Sequence, residues 1–336
     1  MSYFGKMNYP TRRSCLFLGG LALLPALTRS EETASAAPET PAGKRRLPLE
    51  TIFRGRTKFD AMLSKAASEN WSALPIGDRI IRFAKQLEGT PYVNFTLEID
   101  DHIESPSVNL GAVDCWSFFE QCLGLARMIG VKKDSYSPED LLRQIEFTRY
   151  HAGTCGGNYL ERIHYLAEWF FENDARGSCR HLTPTLPGAV RITDRRVSEM
   201  TTLWKSYRYL RNNPELRQPM REIEERVEAL PVYHVPKSRV AAIEPRLQNG
   251  DVIGIATKYH GAFCSHVGLA LRTEDGVTRF MHASRDFKKV VVDDSISDYL
   301  ARFSAHAGIL VGRPLEVSES VIDRTTYESN LQKLVG

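Results

Sequence analysis

The sequence predicts an α+β fold in which helices come first and an antiparallel sheet follows. Apolar residues recur at helical spacing through the first two thirds of the chain, and after Pro245 short β-rich segments alternate with turns. Helices and strands segregated in this way indicate α+β rather than a doubly wound sheet. The composition agrees: 336 residues, 25% charged and 42% hydrophobic, an ordinary globular balance that excludes collagen, coiled coil and wholesale disorder. A chain of this length buries a core without disulfide or metal staples. Lys and Arg number 44 against 41 Asp and Glu, a formal net charge of +3, too small an excess to point to nucleic acid.

Residues 1–36 read as an export signal. Arg12-Arg13 precedes an apolar run from Cys15 to Leu27, and Ala34-Ser35-Ala36 has the small-x-small form of a cleavage site. Thr11-Arg12-Arg13-Ser14-Cys15-Leu16 resembles a twin-arginine signal, with Cys15 where Phe is usual. The apolar run is shorter than the ~20 residues of a spanning helix, so no stable membrane span is expected after signal removal. The reading is therefore an exported protein of the periplasm or cell envelope. Residues 37–49 form a Pro- and Ala-rich leader, and residues 50–336 a single domain with a helical insertion over about 131–245.

Residues 50–90 are helical in pattern, with Ile80, Ile81, Phe83, Ala84 and Leu87 recurring and Gly89 as a stop. Residues 93–112 lack a period and read as an irregular lead-in. The strongest helix is 114–129, with an apolar stripe of Phe118, Phe119, Cys122, Leu125, Ala126 and Ile129. Ser137-Pro138-Glu139-Asp140 opens the next helix, Ser as N-cap and Pro at the first position. A third helix is expected over 159–173, and 196–230 is partly helical, its aromatics packed on the core. Strands follow at 251–257, 265–272, 278–283, 288–293 and 307–313, separated by turns such as Glu274-Asp275-Gly276.

Asp114-Cys115 opens the strongest helix, where the helix dipole favours a thiolate and free N–H groups favour an oxyanion. His266 lies on the first hairpin strand and His282 on the second, so the pairing can set them side by side, with Gly268 leaving room for a helix to approach. A thiol, a basic His and a third group that fixes the His tautomer are what nucleophilic acyl chemistry requires. Export makes thiol pairing relevant, and Cys155 with Cys179 is the expected disulfide. No Cys-x-x-Cys pair occurs; His260, Cys264 and His266 are the one weaker zinc alternative, and neither metal nor cofactor is expected.

The motifs resemble a known family. Gly89-x-Pro91-Tyr92, Asp114-Cys115, His266-Val267-Gly268 and Phe280-x-His282-Ala283 appear in the order of the NlpC-type papain-like cell-wall hydrolases. The chain is most similar to one branch, the N-acetylmuramoyl-L-alanine amidase-like family. The likeness rests on Asp114-Cys115-x-Ser117-Phe118, Arg162-x-His164-Tyr165-x-x-x-Trp169, Tyr233-x-Val235-Pro236-Lys237, Leu247-Gln248-x-Gly250-Asp251-Val252-Ile253 and Gly312-Arg313-Pro314. The resemblance implies a papain-like domain with Cys115 as nucleophile, His266 as base and His282 as the orienting group. It also implies that Tyr92 stabilises an oxyanion and that Asp114 meets a stem-peptide amine. Trp116, Ser117, Arg162, His164, Tyr165 and Ser265 complete the expected oxyanion and substrate residues, Arg162 as partner of a peptide carboxylate. The superfamily usually has Asp-Cys-Ser-Gly, so Trp116-Ser117 is a departure. The expected activity is cleavage of a peptidoglycan amide, either N-acetylmuramoyl–L-alanine or γ-D-glutamyl–diamino acid, on a stem peptide or muropeptide. The alternatives are a thiol-dependent acyltransferase on the same residues and a non-catalytic wall-binding module.

Overall fold

The computed structural model describes residues 46–318 and 322–335. The expected export signal and the first part of the leader lie outside the described residues. Helix α1 (Arg56–Ser68) follows Gly55, whose φ of +94° turns the chain in. Helix α2 (Ile76–Gln86) buries Ile80, Ile81, Phe83 and Ala84, as their spacing predicts, and Gly89 at φ +78° turns the chain away. The irregular stretch after it contributes only a two-residue strand at Val108–Asn109, paired with Phe53–Arg54.

Helix α3 (Cys115–Val131) begins in a capping box: the Asp114 carboxylate accepts from the Ser117 N–H, and the Ser117 hydroxyl accepts from the Asp114 N–H. The sequence suggests one apolar stripe, but every residue from Ser117 to Ile129 is buried. Helix α4 (Pro138–Arg149) flanks it and supplies partners to two of its buried charges. Glu120 accepts from Arg149 at 2.7 Å, and Arg127 donates to Thr148 at 2.9 Å. Helix α4 carries its own capping box between Ser137 and Asp140.

The expected helix at 159–173 is corrected. Only Leu166–Ala175 is α-helical (α5), preceded by a single 3₁₀ turn at Tyr159–Glu161. Arg162 sits between them with φ −71° and ψ 138°, an extended conformation, bridged to Tyr150. The helical pattern fails there because Arg162 is drawn into ion pairs that hold it off the helix axis. Helix α6 (Arg217–Ala229) is the main helix of the 196–230 region.

The strands are β1 (Val252–Thr257), β2 (Cys264–Arg272), β3 (Thr278–Ser284), β4 (Lys289–Ser295) and β5 (His306–Pro314), within two residues of their expected limits. Helix α7 (Ile296–Ala301) joins β4 to β5, and α8 (Arg324–Val335) docks on α5 through a Tyr327–Glu172 hydrogen bond of 2.6 Å. The antiparallel sheet runs Val190–Arg191, Tyr233–Pro236, β5, β1, β2, β3, β4, and Cys179–His181 also pairs with β5. One face, carrying Val267, Leu269, Met281 and Ala283, shares a core with α2, α3 and α5. The other, with Ile253, Ile255, Ala270 and Phe280, packs on α7 and its Tyr299 and Leu300.

Candidate active site

The β2–β3 ladder is regular from Arg272–Thr278 to Leu269–Met281 and then opens. Two residues past its last pair, the Val267 N–H turns to the Cys115 thiol instead of a neighbouring strand. The thiol is half-buried at the start of α3. Burial pushes it up to about 12, the adjacent Asp114 carboxylate adds to this, and the N–H groups of Val267, Trp116 and Cys115 offset only part. The dipole argument expected a thiolate. Desolvation outweighs the dipole, and the resting group is a thiol.

On the neighbouring face His266 and His282 come together, Nε2 to Nδ1, at 2.7 Å. His282 is 2% exposed, and its Nε2 lies 3.3 Å from Asp293 Oδ2. One tautomer set satisfies this chain. Asp293 can only accept, so His282 carries its proton on Nε2; His266 then donates from its own Nε2, which leaves the His266 Nδ1 lone pair unused by the chain. Burial lowers the His266 imidazole well below its ordinary value, and the positive character of His282, His306 and Arg285 lowers it further. Burial also lowers His282, against the pull of Asp293. Burial alone would raise the Asp293 carboxyl, but His282, the Arg302 guanidinium at 2.7 Å and the Asp294 N–H hold it well below the usual carboxylate range. Tyr299 lies 5.1 Å from His282 and 6.3 Å from His266, ring to ring.

Sequence reasoning missed Asp293. It lies in a bulge: Met281 pairs with Val292 and Arg279 with Ser295, so Asp293 and Asp294 together face Phe280. The bulge aims Asp293 at His282. An acid directly after the apolar run Val290-Val291-Val292 was the available signal, but alternation alone cannot place a bulge. Gly268 proves to serve β3 rather than a helix: a Cβ there would meet the Met281 carbonyl at 2.7 Å, the Phe280 ring at 2.7 Å and the His282 Cβ at 2.8 Å.

The other expected site residues divide. Tyr92 is half-buried, its backbone tied to Lys288 and Val113 beside the start of α3. Ser265 is exposed. Asp114 has both carboxylate oxygens engaged, Oδ1 by the Ser117 N–H and Oδ2 by the Thr96 N–H and hydroxyl at 3.1 and 2.8 Å. Ser117 is 2% exposed and spent in the cap. Trp116 packs on Phe119, ring centroids 5.9 Å apart. Arg162 is buried, paired with Glu98 and Glu104, and stacked 4.7 Å over Tyr159, so its charge is satisfied internally. His164 bonds the Tyr159 carbonyl at 3.0 Å, and the Tyr165 hydroxyl donates to Glu224 at 2.7 Å. Arg162 ties the insertion to the lead-in loop, and the other two tie parts of the insertion to one another.

The expected Cys155–Cys179 disulfide is corrected: both are buried free thiols, Cys155 donating to the Glu104 carbonyl while Cys179 lies in the strand against β5. Among the described residues no cluster of His, Cys, Asp and Glu could hold a metal. His260 accepts from the Arg196 N–H instead.

A cysteine at a capped helix start, beside a strand whose half-buried histidine leads to a second histidine and an aspartate, marks an α+β protein with its candidate site between the first helices and the antiparallel sheet. The particular group follows from comparison with known sequences: residues 82–309 match the N-acetylmuramoyl-L-alanine amidase-like family, and the chain belongs to it. An N-acetylmuramoyl-L-alanine amidase from Bacteroides uniformis has a similar structure at 28% identity and a TM-score of 0.64, covering 72% of this chain and 99% of that one. A Bacteroides fragilis protein matches at 29% identity and a TM-score of 0.60, over 68% and 98% of the two chains. A Legionella pneumophila protein, 20% identical, shares the fold at a TM-score of 0.59, over 80% and 98%. No curated protein matches. Among the described residues no helix is long and apolar enough to cross a membrane.

Proposed function

We propose that this chain is an exported, papain-like cysteine amidase that cuts the bond between N-acetylmuramic acid and L-alanine in peptidoglycan. The observation that carries the reading is the relay His266–His282–Asp293 beside the strand position where a backbone N–H meets the Cys115 thiol. Cys115 Sγ attacks the lactyl carbonyl carbon as its proton passes to His266 Nδ1. The carbonyl π pair moves onto oxygen, which the N–H groups at the start of α3 and the Tyr92 side chain receive. Collapse breaks the C–N bond, and His266 returns the proton to the departing alanine nitrogen. Water, deprotonated by His266, then opens the thioester and restores the thiol. Protonated His266 is stabilised through His282 by Asp293, whose low proton affinity keeps the negative charge in place.

Asp114 bears on the choice between the two candidate bonds. Its oxygens already accept three hydrogen bonds from Ser117 and Thr96, so it is poorly placed to receive the free amine of a stripped peptide. This favours the muramoyl–alanine bond. The N-terminal sequence supports export. Digestion of purified muropeptides with mass analysis tests the reading: products separated into the sugar acid and a peptide with a new alanine N-terminus support it, and cleavage after glutamate, or transfer of the acyl group to an added amine, replaces it.

A further inference from the structure

Beneath residues 93–99, against α3, lies a cavity of about 250 Å³. Thr96 and Ser117 line it and also bond Asp114, the residue before Cys115. Gln121 lines it one turn deeper. Its side chain is 0% exposed, and neither its carbonyl oxygen nor its amide nitrogen has a partner. A buried carboxamide without partners is costly, so a polar occupant is implied. Arg54 lies on the same wall, exposed, and its guanidinium makes no ion pair among the described residues. Arg208, the other arginine there, is held by Asp101 at 2.6 Å.

We propose that this cavity is the subsite for the peptide part of the substrate, with Gln121 reading a peptide amide and Arg54 a free carboxylate two to three residues from the cleaved bond. The inference rests on the amidase reading above. A primary carboxamide presents a donor and an acceptor together, the complement of a peptide unit. A guanidinium pairs best with a carboxylate. Along α3 the axial rise from Cys115 to Gln121 is about 9 Å, six residues at 1.5 Å, and the helix turns by about 240° over it, so the peptide runs around the helix start past Thr96 to reach Gln121. An extended peptide rises about 3.3 Å per residue and covers that span with its second and third residues. A stem peptide with a γ-linked glutamate carries its free α-carboxylate in this range. The subsite assigns to Arg54 the carboxylate recognition that buried Arg162 is too fully paired to perform.

The test compares muramoyl tripeptides that differ only in that carboxylate, free or amidated, and a muramoyl-alanine lacking the rest of the stem. The wild-type enzyme is expected to have a KM about tenfold lower for the free acid than for the amide, and Arg54→Ala is expected to abolish that preference with kcat little changed. Gln121→Met, similar in size and apolar, is expected to raise KM for both tripeptides but not for muramoyl-alanine. Arg54 is exposed, so its variant folds even where the Gln121 one does not. Calorimetric titration of the free-acid tripeptide into Cys115→Ala protein reads binding apart from turnover. If the wild type cleaves the substrates but neither variant alters selectivity or binding, the cavity holds only water and the subsite is refuted. If the wild type cleaves none of them, the amidase reading itself has failed.

Discussion

Asp293→Asn is the most informative single change in the proposed relay. Asn preserves the size of the side chain and can still offer its carbonyl oxygen to Arg302, now 2.7 Å from the carboxylate. Its amide then faces His282 Nε2, a donor facing a donor, and His282 responds by moving its proton to Nδ1. That nitrogen lies 2.7 Å from His266 Nε2 and now donates to it. His266 must carry its own proton on Nδ1, the nitrogen that should receive the thiol proton. One neutral substitution thus inverts both tautomers and removes the base. In a serine triad the comparable change costs about 10⁴ in kcat. Here the acid acts through two histidines, and a loss of about 10³ is expected, about 4 kcal/mol of activation free energy at 1.36 kcal/mol per decade. KM should be unchanged, because no substrate contact is touched. Stability should fall by no more than about 1 kcal/mol, since the lost ion pair is with a half-exposed arginine. The assay is single-turnover release of peptide from a muramoyl peptide, with thermal unfolding alongside. An Asp293→Asn enzyme that folds and retains full kcat would refute the relay.

Cys115→Ala should abolish turnover altogether, read by mass analysis of the digest, and measurable residual activity would remove the thiol from the mechanism. His266→Ala should leave less activity than His282→Ala, because in the proposed mechanism His266 takes the thiol proton and the second histidine acts through it. Because burial lowers His266, the active neutral form persists below the ordinary histidine range; the acid limb of the kcat/KM profile should lie well below pH 6.5, and a limb at or above 6.5 would contradict the buried base. Gly268→Ala should cost both activity and about 1–3 kcal/mol of stability, because the new methyl displaces the Met281 backbone and His282, as denaturant unfolding would read. A denatured, non-reduced chain lacking residues 1–36 should titrate with five thiols; three would restore a disulfide.

Much of this was legible along the chain because it depends on neighbours within one turn or one strand. Asp114 caps Cys115 through Ser117, three residues on, and Ser137 caps its helix through Asp140 in the same way. The five long strands follow from alternation and their turns, and His266 and His282 come together because the turn at Asp275-Gly276 sets the hairpin register. Other features needed distant partners. Arg162 looked like a groove residue on a helix until Glu98 and Glu104, some sixty residues earlier, claimed its charge and drew it off the helix. The thiol looked activated by its helix, and burial against the sheet reversed the sign. Asp293 depended on a bulge that no alternation announces, and the unpartnered Gln121 had no signal within an apolar-looking helix. The sequence by itself determined where the capped helices and the five long strands begin and end to within about two residues, since caps, turns and periodicity are short-range. Only the tertiary structure decided which charges are neutralised, which polar groups are left unsatisfied and which acid completes the relay, because desolvation and ion pairing depend on what the fold brings close from far away in the chain.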